Sequence, residues 1–144
     1  MIVRCRATKP SNEEAAAAGI DLGEMSAPYG LTLGKTYVVL GLTFPRVPSL
    51  LGTDGAITYT ENDWYILQAP LVLFDVVDPR MSSKWVLGRN QLGDVCIWPP
   101  SFFAEFYHDR LSDGDPELLE DFRRIYAELV TENGLHSASN IAVT

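Results

Sequence analysis

The chain has 144 residues, 47% of them hydrophobic and 21% charged, and carries a formal net charge of −8 at pH 7. That length suits one domain with its own core and is too short for a (β/α)8 barrel, which takes roughly 250 residues. The hydrophobic content excludes a disordered chain, and the acidity argues against a nucleic-acid binder held by phosphate contacts.

The opening Met1-Ile2-Val3-Arg4-Cys5-Arg6 breaks its apolar residues with arginines, unlike a signal peptide. Its alternation predicts a half-exposed strand over 2–7. Ser11-Asn12-Glu13-Glu14 has the form of a capping box, and Gly19 closes the short helix that follows. Residues 23–30 read as a loop. The segment 31–44, with Gly34-Lys35 as a turn before Tyr37-Val38-Val39-Leu40, predicts the first strong strand. After a loop over 45–55, residues 57–60 and 64–68 flank the polar trio Glu61-Asn62-Asp63 as a hairpin. The run 71–77 is almost wholly apolar and predicts a strand buried on both faces, ended by Asp78-Pro79. Two further short strands follow over 84–87 and 94–98.

The character then changes. Pro99-Pro100-Ser101 predicts a helix opening with Ser101 as its N-cap, its aromatic face made by Phe102, Phe103, Phe106 and Tyr107. Asp115 caps a second helix with Pro116 at N1. Leu118, Leu119, Phe122, Ile125, Tyr126, Leu129 and Val130 form its apolar stripe, Glu120 and Arg124 are set to pair at i,i+4, and Asn133-Gly134 stops it. The order predicts a single α+β domain over 1–144: an N-terminal strand, short helix and loop (2–30), a β-rich core (31–98), a helical pair (101–132) and a loose tail (135–144). The core is expected to be a small antiparallel sheet, or an SH3-like partly open barrel, of about five or six strands. No stretch reaches the ~20 apolar residues of a membrane helix. With only Cys5 and Cys96, both in apolar segments, buried reduced thiols and a cytoplasmic location are expected.

Motifs for catalysis are weak. Gly34-Lys35-Thr36 ends like a phosphate-binding loop, but the position that should be its first glycine is Tyr29, and a strand follows in place of a helix. Glu105 and His108 stand at i,i+3, yet the only other histidine is His136, too few for a di-iron or zinc cage. Asp75 and Asp78 fall on opposite faces of a strand, and Cys96 lies between Val95 and Ile97 with no positive neighbour. No catalytic residue, metal or cofactor is expected, and the chain reads as a non-enzyme.

Charge is the most informative feature. Residues 101–132 hold nine acidic residues against three arginines, six of the chain's eight net negative charges. These carboxylates either line the solvated side of the helical pair or form a docking face for a basic protein domain. The candidates are Glu117, Glu120, Asp121 and Glu128, all off the apolar stripe. Trp64 and Trp85, at strand ends, are either core or a second binding patch.

The pattern Gly34-Lys35-x-Tyr37-Val38-Val39, Phe74-Asp75-Val76-Val77-Asp78, Trp85, Trp98-Pro99-Pro100-Ser101-Phe102 and Asp121-Phe122-Arg123-Arg124 resembles small bacterial immunity proteins that accompany polymorphic or contact-delivered toxins. The likeness runs from 31 to 132. It implies a compact, acidic, cytoplasmic, non-enzymatic protein that neutralises one cognate toxin by covering its active site, and it carries over no functional residue. A structural or regulatory module with an SH3-like barrel is the alternative. A deep polar pocket would favour a small-ligand binder or an enzyme.

Overall fold

Eight strands and three helices are seen in the computed structural model, which describes residues 1–21, 23, 29–48, 51–60 and 65–134. Strands β1 (Ile2–Cys5), β2 (Thr36–Val38) and β6 (Phe74–Asp78) form a three-stranded antiparallel sheet in the order β2-β1-β6. A second antiparallel sheet runs β5-β4-β3-β8-β7, from β3 (Gly41–Phe44), β4 (Gly55–Thr60), β5 (Tyr65–Pro70), β7 (Val86–Arg89) and β8 (Val95–Trp98). Helix α1 is Asn12–Ala18, and α2 (Tyr107–Ser112) and α3 (Pro116–Glu132) make the helical pair. The architecture is α+β and antiparallel, and neither sheet closes into a barrel.

Local signals form as their chemistry dictates. Both halves of the capping box are made: the Glu14 N–H donates to Ser11 Oγ at 3.1 Å, and the Ser11 N–H donates to Glu14 Oε1 at 2.9 Å. Gly19 ends α1 in the left-handed region at φ 70°. Asp115 caps α3 and Pro116 takes its first position. Strands β4 and β5 pair from Gly55–Pro70 out to Thr60–Tyr65, the register of a hairpin, whose turn with Trp64 lies outside the described residues, as does the tail 135–144.

The predicted strand over 31–44 divides in two. The Val39 N–H donates to the Met1 carbonyl at 3.1 Å in the first sheet, and the Leu40 N–H to the Ile57 carbonyl at 2.7 Å in the second. The chain therefore changes sheets between adjacent residues, and side chains alternate between two cores. Tyr37 and Val39 join Val3, Cys5, Leu42, Ala56 and Phe74; Val38 and Leu40 join Ile57, Cys96, Trp98 and the helices. Gly41, at this crossing, has no room for a side chain: a Cβ there would lie 2.6 Å from Trp98 Cδ1.

Four further expectations fail on tertiary grounds. The apolar run 71–77 is not a strand buried on both faces. Leu71–Leu73 turns as a 3-10 helix, and among the described residues β6 is an edge strand paired only with β1, leaving Asp75, Val76 and Val77 exposed. The strand predicted over 84–87 begins two residues later, with Trp85 buried before it. The aromatic segment after Pro99 is not one helix: Pro100–Phe103 is 3-10, and α2 starts only at Tyr107. On α3, Phe122, Ile125, Leu129 and Val130 are buried as the stripe requires, but Arg124 turns to Asp121 and Glu128 rather than to Glu120. No helix among the described residues is long and apolar enough to cross a membrane.

Candidate functional site: an acidic helical pair beside an aromatic cleft

The nine carboxylates of the helical pair divide into two sets. Four serve the fold. Asp115 caps α3 and bonds Arg110 at 2.6 Å. Asp121 accepts from Tyr107 Oη at 2.9 Å and from Arg124 at 2.7 Å, and Glu128 accepts from Arg124 at 3.0 Å. Glu132 reaches back to the Ser83 N–H at 2.8 Å and to the Ser83 and Ser82 hydroxyls at 3.0 and 3.2 Å, pinning the loop before β7 to the end of α3. Partial burial pushes the Glu132 carboxyl up, but these three bonds outweigh it and hold the group below the ordinary glutamate range. The other five, Glu105, Asp109, Asp113, Glu117 and Glu120, are exposed and make no ion pair among the described residues.

The four acidic candidates are thus not equivalent. Glu117 and Glu120 are exposed, whereas Asp121 is half-buried against Tyr107 and Glu128 is half-buried beside Arg124. Trp85 sits in the core toward the first sheet, 8% exposed, and its indole Nε1 is buried without a partner among the described residues. Trp64 lies outside the described residues.

Sequence reasoning missed a cleft of about 570 Å³. Three distant segments supply most of its lining, the end of β3 with Pro45, Arg46 and Val47, the β7–β8 turn, and the stretch from Trp98 to Asp109, and Leu51 and Gln68 complete it. The β7–β8 turn is braced by Asn90 and Asp94. Asn90 Oδ1 accepts the Asp94 and Leu92 N–H groups at 2.9 and 3.0 Å; Asp94 Oδ1 accepts the Arg46 N–H at 2.8 Å, and its Oδ2 accepts from Asn90 Nδ2 at 3.2 Å. Asp94, though charged, is 8% exposed because these donors satisfy it.

The opposite wall is aromatic. Trp98 Nε1 donates to Thr43 Oγ1 at 3.1 Å, which sets the indole beside Phe103 at 4.9 Å between ring centres. The His108 ring stands edge-on to Trp98 and Phe102, each at 5.4 Å. Both of its nitrogens are buried with no hydrogen-bond partner among the described residues, an uncommon state for a polar side chain. Burial holds His108 below its ordinary range, opposed in part by the Asp109 carboxylate. Phe106, just before α2, takes the left-handed region at φ 59°, where a bulky residue is strained by about 1–3 kcal/mol. The one signal of this wall in the sequence is the density of aromatics after Pro99-Pro100; the break that shapes it is a tertiary matter.

Cys5 and Cys96 are free and buried, and burial pushes the Cys96 thiol up to about 11, away from a nucleophilic role. Among the described residues, no group of three or more His, Cys, Asp or Glu is placed to hold a metal ion. No family model, curated protein or solved structure matches this chain.

Proposed function

We propose that this chain is a non-enzymatic binding protein whose acidic helical pair receives a basic protein domain, most concretely the toxin domain that an immunity-type inhibitor neutralises. The observation that carries the reading is the set of five exposed carboxylates on and around α2 and α3 that make no ion pair among the described residues. Such a predominantly negative surface accelerates encounter with a positive partner and does little else for the fold. The toxin part of the reading rests on the resemblance in the sequence pattern.

The test starts from the partner retained by the tagged protein in a host lysate and identified by mass spectrometry. Its association rate is then measured with wild type and with Glu117→Lys/Glu120→Lys over a salt series. The variant should associate more slowly at low salt, and the difference should shrink as salt shortens the screening length to about 8–10 Å. Equal rates at low salt, or a retained partner that is itself acidic, would overturn the reading.

A further inference from the structure

The geometry points to the cleft as the anchor pocket of that interface: it takes a short basic segment of the partner protein, which inserts one aromatic side chain. This rests on the binding reading above and adds where the partner is gripped and by what chemistry.

Three side chains from three separate segments converge on the mouth of the cleft with their apolar surfaces in water: Val47 73%, Leu92 79% and Phe106 57% exposed. Lone exposed hydrophobics are ordinary, but a cluster around one concavity marks a contact surface. Phe106 is presented there by a backbone conformation that costs free energy, and such strain collects at functional positions. The volume is that of a binding pocket, and its rim is apolar surface in water, with more than half of Val47, Leu92 and Phe106 uncovered. An open mouth with an apolar rim suits a side chain delivered on a polypeptide, whose flanking backbone covers the rim.

Charge selects the flanking residues. Asp109 lines the helix side of the cleft, Glu105 precedes Phe106, and both are exposed without ion pairs among the described residues. Asp94 is committed to the Arg46 N–H and Asn90. Among the described residues the one cation of the lining is Arg46, at the opposite lip, where it lies over Gly93. Basic residues of the incoming segment therefore belong on the helix side. His108 is a polar group in a mainly aromatic wall, and its nitrogens lack partners among the described residues. A turn of its ring toward the cleft would meet the N–H of an inserted tryptophan or the O–H of a tyrosine.

The experiment titrates the full 15N-labelled chain with acetyl-Lys-Trp-Lys-amide, acetyl-Glu-Trp-Glu-amide, acetyl-Lys-Ala-Lys-amide and free indole, reading backbone amide shifts. Acetyl-Lys-Trp-Lys-amide should saturate in the millimolar range and move Leu92, Phe103, Phe106 and His108, with the other three probes weaker by at least about tenfold. Val47→Ser/Leu92→Ser, at exposed sites that leave the fold alone, should weaken it by a similar factor. The inference fails if no probe saturates, if the shifts lie elsewhere, if the acidic peptide binds equally, or if indole alone binds as well, which would make this a small-molecule site. Peptide binding with unchanged partner association overturns the helical-face reading alone. Slowed partner association without peptide binding overturns the pocket alone.

Discussion

Removal of the Asp121 carboxylate separates fold from surface on the acidic helix. The Asp121→Ala change deletes the acceptor for Tyr107 Oη at 2.9 Å, on a tyrosine that is 4% exposed. A hydrogen bond to a charged group contributes about 1.5–3 kcal/mol, and the 28% exposure of the Asp121 side chain favours the lower end. The Arg124 pair adds little: that side chain is 57% exposed and keeps Glu128, so its share is about 0–1 kcal/mol. Ser101 Oγ, at 3.5 Å, is too far to count. Asp121→Ala should therefore cost about 2 kcal/mol, a fall of about 4–8 °C in Tm for a chain of this size. Tyr107→Phe should cost about 1 kcal/mol, because it leaves Asp121 bonded to Arg124. The double variant should lose less than the sum by about 1 kcal/mol, since the two changes break one bond. Urea unfolding followed by tryptophan fluorescence measures all three, with Glu120→Ala as an exposed control expected within about 0.5 kcal/mol of wild type. A coupling below about 0.3 kcal/mol would refute the assignment of Asp121 to the fold.

Other predictions draw on the same geometry. Phe122 is 1% exposed and stacked between Phe102 and Tyr126, so Phe122→Ala should cost about 3–5 kcal/mol in urea unfolding; an unchanged midpoint would place the stripe at the surface. Gly41→Ala would set a Cβ 2.6 Å from Trp98 Cδ1 and 3.1 Å from the Ile97 carbonyl, and the overpacking should cost about 1–3 kcal/mol with a changed Trp98 emission; wild-type stability and emission would refute the crossing. Burial holds His108 below its ordinary 6.5, so the unfolded chain takes a proton that the folded protein resists. Its contribution is complete above 6.5 and is lost as pH falls toward the depressed folded value, with a slope of at most about 1.4 kcal/mol per pH unit. Parallel stability curves for wild type and His108→Phe just below pH 6.5 would contradict this.

What the chain encodes locally is legible without a structure. The capping box of Ser11 and Glu14, the left-handed Gly19 and the Asp115-Pro116 opening of α3 depend on neighbours within four residues, so the local residues suffice to set them. The stripe of α3 and the pairing of β4 with β5 are equally readable, because period and hairpin closure need only a short window. The acidity of residues 101–132 is read by counting.

Tertiary structure decided the rest, wherever hydrophobicity leaves the partner open. An apolar run shows that burial is available, not which face receives it: β6 ended at a sheet edge with Val76 and Val77 in water, while Val39 and Leu40 were claimed by different sheets. Arg124 lies within reach of Glu120, Asp121 and Glu128, and the Asp121 carboxylate, already held by the buried Tyr107 hydroxyl, is fixed in place to receive it. The cleft draws on residues as distant in the chain as Thr43, Asn90 and His108, whose approach is set by the pairing of β3 with β8 and β8 with β7. Which carboxylates remain in water, and where exposed apolar side chains gather, are properties of that packing, since a one-dimensional pattern specifies periodicity but not the neighbour across the fold.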